Sequence, residues 1–159
     1  MVGAVHELSP QVLAHHGIKA VMVDLDDTLI PANSNAISAS FRNWLNLLKT
    51  QMPVIILSNG KPGRVSYWAN EFNITGFALA GKPFAFAFKR GLSALSSEAA
   101  ETAMIGDQLF TDILGAKLAG LKTVLVKPLT AGGLPHTRVL RKLEKLILRE
   151  DQHGRSFNR

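Results

Sequence analysis

Ala20-Val21-Met22-Val23-Asp24-Leu25-Asp26-Asp27-Thr28-Leu29 is the stretch on which the fold turns. Four apolar residues, too few for a helix, stop at a cluster of acids. Such a run suits a strand buried on both faces of a parallel sheet. Asp24 and Asp26, two apart on extended backbone, project on one side. Acids this close repel one another unless a cation sits among them, and all-oxygen ligands suit Mg²⁺.

A second phrase repeats the pattern further along. Met104-Ile105-Gly106-Asp107 again runs from apolar residues into a carboxylate, and Gln108-Leu109-Phe110-Thr111-Asp112 supplies another. Between them the chain alternates in period. Residues 7–16 read as a short helix, 21–25 as the first strand, and Ile37, Phe41, Trp44, Leu45 and Leu48 as a helical stripe. Val54–Leu57 reads as a second strand, 63–71 as a helix, and Phe77–Leu79 as a short third strand. Phe84, Phe88, Leu92 and Leu95 make another helical stripe, with Gly91 weakening its last turn. Thr102–Ile105 and Lys122–Val126 complete five strands. Between them, 109–119 reads as a helix closed by Gly120. Thr137–Arg149 reads as a last helix. The expected architecture is α/β: a three-layer, mainly parallel five-stranded sheet with helices on both faces. A single domain is expected over 1–150, with a frayed tail at 151–159.

Composition narrows the function classes. The chain has 159 residues, 47% apolar, enough for a sizeable core. It has no cysteine, which excludes disulfides, thiolate metal sites and cysteine nucleophiles. No apolar run reaches the roughly 18 residues of a membrane span, and no secretory leader pattern opens the chain. The expected location is cytoplasmic, with peripheral contact at the inner membrane face. Formal charge is +6, from 18 Lys and Arg against 12 Asp and Glu. With four of those acids gathered in one pocket, the remaining surface is more basic still. It favours an anionic partner. His6, His15, His16, His136 and His153 have no metal-ligand spacing.

In open parallel sheets, ligands bind beyond the carboxyl ends of the strands. The polar phrases fall there: Asp24 and Asp26, then Ser58-Asn59-Gly60, then Gly81-Lys82-Pro83, then Asp107. Taken in order, these resemble the four motifs of the haloacid dehalogenase (HAD) superfamily of phosphotransferases. Its motifs are Asp-x-Asp-x-Thr (Asp24, Asp26, Thr28), a strand-ending Ser or Thr (Ser58), a Lys often before Pro (Lys82), and Gly-Asp with a further Asp (Gly106-Asp107 and Asp112). The resemblance spans about residues 18–127. Gly17-Ile18-Lys19, Ser58-Asn59 and the 106–112 phrase are similar to the YqeG-type branch, subfamily IIIA, which includes phosphatases of phosphatidylglycerophosphate. Asp27 departs from that branch, which usually carries Asn there.

The resemblance implies a role for each residue. Asp24 would be the nucleophile, forming an aspartyl-phosphate. Asp26 would be the general acid and base. Asp24, the Asp26 backbone carbonyl and Asp107 would hold Mg²⁺. Asp112 would orient metal-bound water or Lys82. Ser58 and Lys82 would hold phosphate oxygens, and Thr28 would steady the turn after the nucleophile or meet the phosphate. Asn59 reads equally as a substrate contact and as a turn residue. Lys61, Arg64 and Lys127 read better as solvated surface residues than as parts of the site.

The spacing leaves no room for a cap domain. Thr28 and Ser58 are separated by 29 residues, Ser58 and Lys82 by 23, and each gap must already hold a helix and a strand. An open site suits a phosphate on something large, with phosphatidylglycerophosphate as the leading substrate. Two rivals remain. One is a phosphatase of soluble sugar or nucleotide phosphates, or of a phosphoprotein, covered by a homo-oligomer interface. The other is a basic nucleic-acid-binding module with a vestigial acid site, for which no reading motif is present. The 137–149 helix carries Val139, Leu140, Leu143, Leu146 and Ile147 on one face. Arg138, Arg141, Lys142, Lys145 and Arg149 lie on the other. That pattern fits a helix packed on the sheet better than one lying on an anionic membrane.

Overall fold

The computed structural model describes residues 3–130. The expected 137–149 helix, the 151–159 tail, His136 and His153 lie outside the described residues.

The elements follow in strict alternation: α1 (Pro10–His15), β1 (Ala20–Val23), α2 (Ala39–Gln51), β2 (Val54–Leu57), α3 (Pro62–Phe72), β3 (Thr75–Phe77), α4 (Ala85–Leu95) and β4 (Thr102–Gly106). A π-helical stretch, Leu109–Leu114, then runs into α5 (Gly115–Leu118), and β5 (Lys122–Leu125) closes the sheet. The strands stand in the order β3-β2-β1-β4-β5. All four pairings are parallel, so the sheet is wholly rather than mainly parallel. The order reverses between β1 and β4, and the crevice for a ligand opens there.

The three inner strands β1, β2 and β4 are buried on both faces, as their largely apolar runs suggested, whereas the edge strands β3 and β5 stay partly exposed. Val21, Val23, Val54, Ile56, Ala103 and Ile105 join Phe41, Trp44, Leu45 and Leu48 of α2, and Val65, Trp68 and Phe72 of α3, in one core. Ala20, Met22, Ile55, Leu57 and Met104 face the other way, onto Phe88 and Leu95 of α4 and Ala116 of α5. Alternate residues of each strand thus feed alternate layers.

Three expectations are corrected. The first helix starts at Pro10 instead of residue 7, because Ser9 accepts a hydrogen bond from Val12 N and Pro10 fills the first helical position. The third strand is Thr75–Phe77. Leu79, expected within it, has φ 45 and lies beyond the ladder. Phe84 was expected in the core stripe of α4, but it precedes that helix and is 65% exposed.

Gly91 is buried in α4 on the face that meets β1 and β2. A Cβ there would come within 2.8 Å of Met22 Sδ and Cε and 3.2 Å of Ile55 Cδ1, so an added methyl would require the end of the Met22 side chain to shift within the core. Gly91→Ala would overpack the core at a cost of about 1–3 kcal/mol. Between Thr28 and Ser58 lie only α2 and β2, and between Ser58 and Lys82 only α3 and β3. No further domain is inserted at either point.

Candidate active site

The site is assembled from the loops that leave β1, β2, β3 and β4 at the carboxyl edge. β1 ends at Val23, and the next backbone amide, Asp24 N, donates to Ile105 O at 2.9 Å. That bond seats Asp24 beside β4. Asp24 and Asp26 both reach a cleft of about 440 Å³, whose walls also include Ser58, Asn59, Lys82 and Arg64.

Lys82 is the electrostatic centre. Its Nζ donates to Asp24 Oδ1 at 2.8 Å and to Asp112 Oδ1 at 2.6 Å, with the side chain 2% exposed. Burial by itself would depress the ammonium. The Asp112 and Asp24 carboxylates together outweigh burial and hold Lys82 above the usual lysine value. Asp24 does not benefit equally. Burial pushes its carboxyl up from 3.8 to about 6, with Lys82 opposing and Asp112 adding to the rise. One ammonium is shared by two carboxylates, which favours its own charge but leaves Asp24 short of compensation.

Asp112 is set by local backbone. Its Oδ2 accepts from Gln108 N at 3.1 Å, and the π-helical turn carries it back over β4. A Cβ on Gly106 would lie 2.2 Å from Asp112 Oδ2, so the glycine of the Gly106-Asp107 pair makes room for this carboxylate. Asp107 accepts from Thr28 Oγ1 at 3.3 Å. Thr28 is 1% exposed and lies outside the cleft wall, behind the acids. Ser58 Oγ accepts from Gly60 N at 3.0 Å. Asn59 lines the cleft and also staples the Lys82 loop. Its Oδ1 accepts from Gly81 N and Lys82 N, and its Nδ2 donates to Lys82 O.

Two residues carry more than the sequence suggested. Arg64 is not a solvated surface residue. Its Nε donates to Asp26 Oδ1 at 2.6 Å, and its terminal nitrogens donate to Asn35 Oδ1 and Pro31 O. Burial raises the Asp26 carboxyl, and Arg64 opposes that rise. A cation in the first turn of a helix runs against the helix dipole, and this was the available signal that Arg64 has a partner. Asp27 is 3% exposed at φ 62, where Asn and Asp are the best tolerated residues after glycine. Its Oδ1 accepts from Ala32 N and Thr130 Oγ1, and its carbonyl from Leu129 N. It fixes the turn that follows Asp24 and Asp26.

Carboxylate oxygens of Asp24, Asp107 and Asp112 lie within 4.8 Å of one another and could hold a metal ion. No histidine joins them among the described residues. Lys82 occupies one oxygen of both Asp24 and Asp112, and Thr28 donates to one oxygen of Asp107. The cluster makes a prediction. Because burial lifts Asp24 to about 6, its contribution to stability is full below about pH 4 and is lost as pH rises through 6. The lift corresponds to roughly 3 kcal/mol. In chelator, the melting temperature should fall between pH 5 and 7.5. Added Mg²⁺ should restore more of it at pH 7.5 than at pH 5. Asp24→Asn should flatten the fall. A melting temperature that rises over this interval in chelator would contradict the assignment.

The probable phosphatase YqeG of Bacillus subtilis is 30% identical over 145 residues, 91% of this chain and 84% of that protein. The chain belongs to the HAD-like hydrolase superfamily. The HAD-hydrolase-like family also matches residues 79–128 of this HAD-like chain, from the Lys82 loop to the end of the sheet. A glyceraldehyde 3-phosphate phosphatase of Pyrococcus abyssi is 44% identical over 54 residues, 34% of this chain and 23% of that protein. The fold is shared with a 3-deoxy-D-manno-octulosonate 8-phosphate phosphatase of Yersinia pestis. That structure gives a TM-score of 0.57 at 18% identity and covers 83% of each chain. This HAD-like protein is accordingly an enzyme, a hydrolase of phosphoric monoesters.

Proposed function

We propose that this phosphatase works through Asp24 as nucleophile, on a phosphate carried by a lipid, with phosphatidylglycerophosphate as substrate and phosphatidylglycerol as product. The observation that supports it best is the cleft in which Asp24, Asp26, Ser58 and Lys82 meet. An Asp24 oxygen attacks phosphorus as the bond to the ester oxygen breaks. Asp26 gives its proton to that leaving oxygen. Water then attacks the aspartyl-phosphate, Asp26 takes a proton from it, and phosphate leaves with Asp24 restored as carboxylate. Lys82 Nζ and the groups around Ser58 hold the phosphate oxygens. Asp24, Asp107 and the Asp26 carbonyl would hold Mg²⁺, which when bound would supply charge neutralisation between carboxylate and phosphate.

The substrate reading draws on the capless cleft, the basic charge and the resemblance of the 106–112 phrase. A metal-dependent phosphate-release panel tests it. It compares phosphatidylglycerophosphate, in vesicles and in detergent, with glyceraldehyde 3-phosphate and other soluble phosphates. Release from the lipid should dominate and should stop in chelator. No release from the lipid, beside brisk release from a soluble compound, would transfer the assignment to small phosphates. The partial match to the glyceraldehyde 3-phosphate enzyme makes that the second reading.

Arg64 enters the same scheme as a positioning residue, since it holds Asp26 rather than the phosphate. General acid catalysis is worth about 10²–10⁴-fold, and only poor leaving groups need it. Arg64→Ala should therefore lower kcat for an alkyl phosphate by at least about tenfold more than for p-nitrophenyl phosphate. Arg64→Lys should rescue only part of this, because a point charge cannot reproduce the guanidinium's three bonds. Equal losses on both substrates would leave Arg64 a purely structural role.

A further inference from the structure

Segment 79–86 carries Lys82 into the site and leaves three large apolar side chains in water. Leu79, Phe84 and Phe86 are 66%, 65% and 61% exposed. The two phenylalanine rings stack at 6.0 Å and 11°, and the Phe86 ring also lies against Gly81. Leu79 holds φ 45, a left-handed conformation that penalises any residue with a Cβ, and burial gives nothing back. Strain joined to exposed apolar surface points to a function outside the isolated fold. The segment follows β3, so it borders the mouth of the cleft. Phe110, 41% exposed, opens the helix after β4 at the same edge.

Charge is distributed to match. Of the described acids, those outside the site are Glu7, Glu71, Glu98 and Glu101. Glu71 ends α3, and Glu98 and Glu101 precede β4, so these three lie at the edge where strands begin. Glu7 lies on the α2 side of the sheet, where its neighbour His6 meets Phe41 edge-on. Exposed charges at the carboxyl edge include Lys61 ahead of α3 and Lys127 just past β5, the latter with Glu7 close by, because Gly3 N donates to Glu7 and Gly3 O accepts from Lys127 N. Exposed aromatic rings at the mouth of a phosphate cleft that Lys61 also lines complement an anionic bilayer.

We infer that segment 79–86 is an interfacial anchor: Leu79, Phe84 and Phe86 enter the headgroup boundary of an anionic bilayer and seat the cleft over its phosphates. This rests on the lipid-phosphate reading above. The test uses the full chain and a double variant, Leu79→Asn with Phe84→Ser. Asn tolerates the left-handed conformation, and Ser suits the position ahead of α4, so both changes favour the fold. Cosedimentation is measured with vesicles of phosphatidylcholine, alone and with one-third phosphatidylglycerol. The wild-type chain should bind the anionic vesicles preferentially, and the double variant at least about tenfold more weakly. The variant should keep its melting temperature and its turnover of a soluble phosphomonoester.

Equal vesicle binding by the two proteins overturns the inference. So does a wild type that hydrolyses the lipid in detergent yet binds no vesicle, and that outcome leaves the substrate reading standing. Binding that the variant loses, without hydrolysis of the lipid in any form, supports the anchor and removes the substrate reading. Self-association abolished by the double substitution, without vesicle binding, assigns the face to a second copy and overturns the inference.

Discussion

Asp24→Asn is expected to abolish phosphatase turnover, by about 10⁴-fold or more, the order seen when a covalent nucleophile is removed. The amide is nearly isosteric, and its oxygen still accepts a hydrogen bond, so the Lys82 contact at 2.8 Å is retained. Lys82 also keeps Asp112 at 2.6 Å. The melting temperature should therefore stay within a few degrees of wild type near neutral pH. Loss of activity without loss of fold separates nucleophile from scaffold. Acid-quenched wild-type enzyme should carry label from a phosphorus-labelled substrate in a form released by hydroxylamine, and the variant should carry none. Undiminished turnover by the variant would remove Asp24 from the chemistry.

Lys82→Met is expected to show the largest loss of stability. It keeps the length of the side chain and removes the charge. Asp24 and Asp112, 4% and 0% exposed, would then face each other without a cation. Breaking a buried pair by removing one partner costs about 3–5 kcal/mol. For a chain of this size that lowers the melting temperature by roughly 10–20 °C at neutral pH in chelator. Because the penalty comes from two ionised carboxylates, acidification toward pH 5 should recover much of it. A divalent cation should recover part of it as well. A variant as stable as wild type at pH 7.5, in chelator, would show that Lys82 does not hold these acids apart.

Much of this was legible in the chain. Apolar runs at 20–23, 54–57 and 103–105 suited doubly buried strands, and the helical stripes between them implied a parallel sheet. The carboxyl-edge position of Asp24, Ser58, Lys82 and Asp107 followed from that topology alone. The short third strand was placed two residues late. Apolar Leu79 looks like a strand residue, and its left-handed backbone leaves no trace in hydrophobicity. Phe84 was placed in the core because a stripe at helical spacing does not announce where its helix begins.

The sequence by itself determined the fold class, the edge at which chemistry occurs and the residues that gather there, because each depends on local pattern and chain order. Tertiary structure decided how those residues divide their labour. That Lys82 bridges Asp24 and Asp112, that Arg64 holds Asp26, and that Thr28 stands behind Asp107 depend on side chains 30 to 79 residues apart meeting in a low-dielectric pocket. No periodicity encodes such meetings. Burial then lifts Asp24 toward neutrality, and the Asp112 and Asp24 carboxylates keep Lys82 cationic against that same burial, since desolvation acts only once the layers have closed around them.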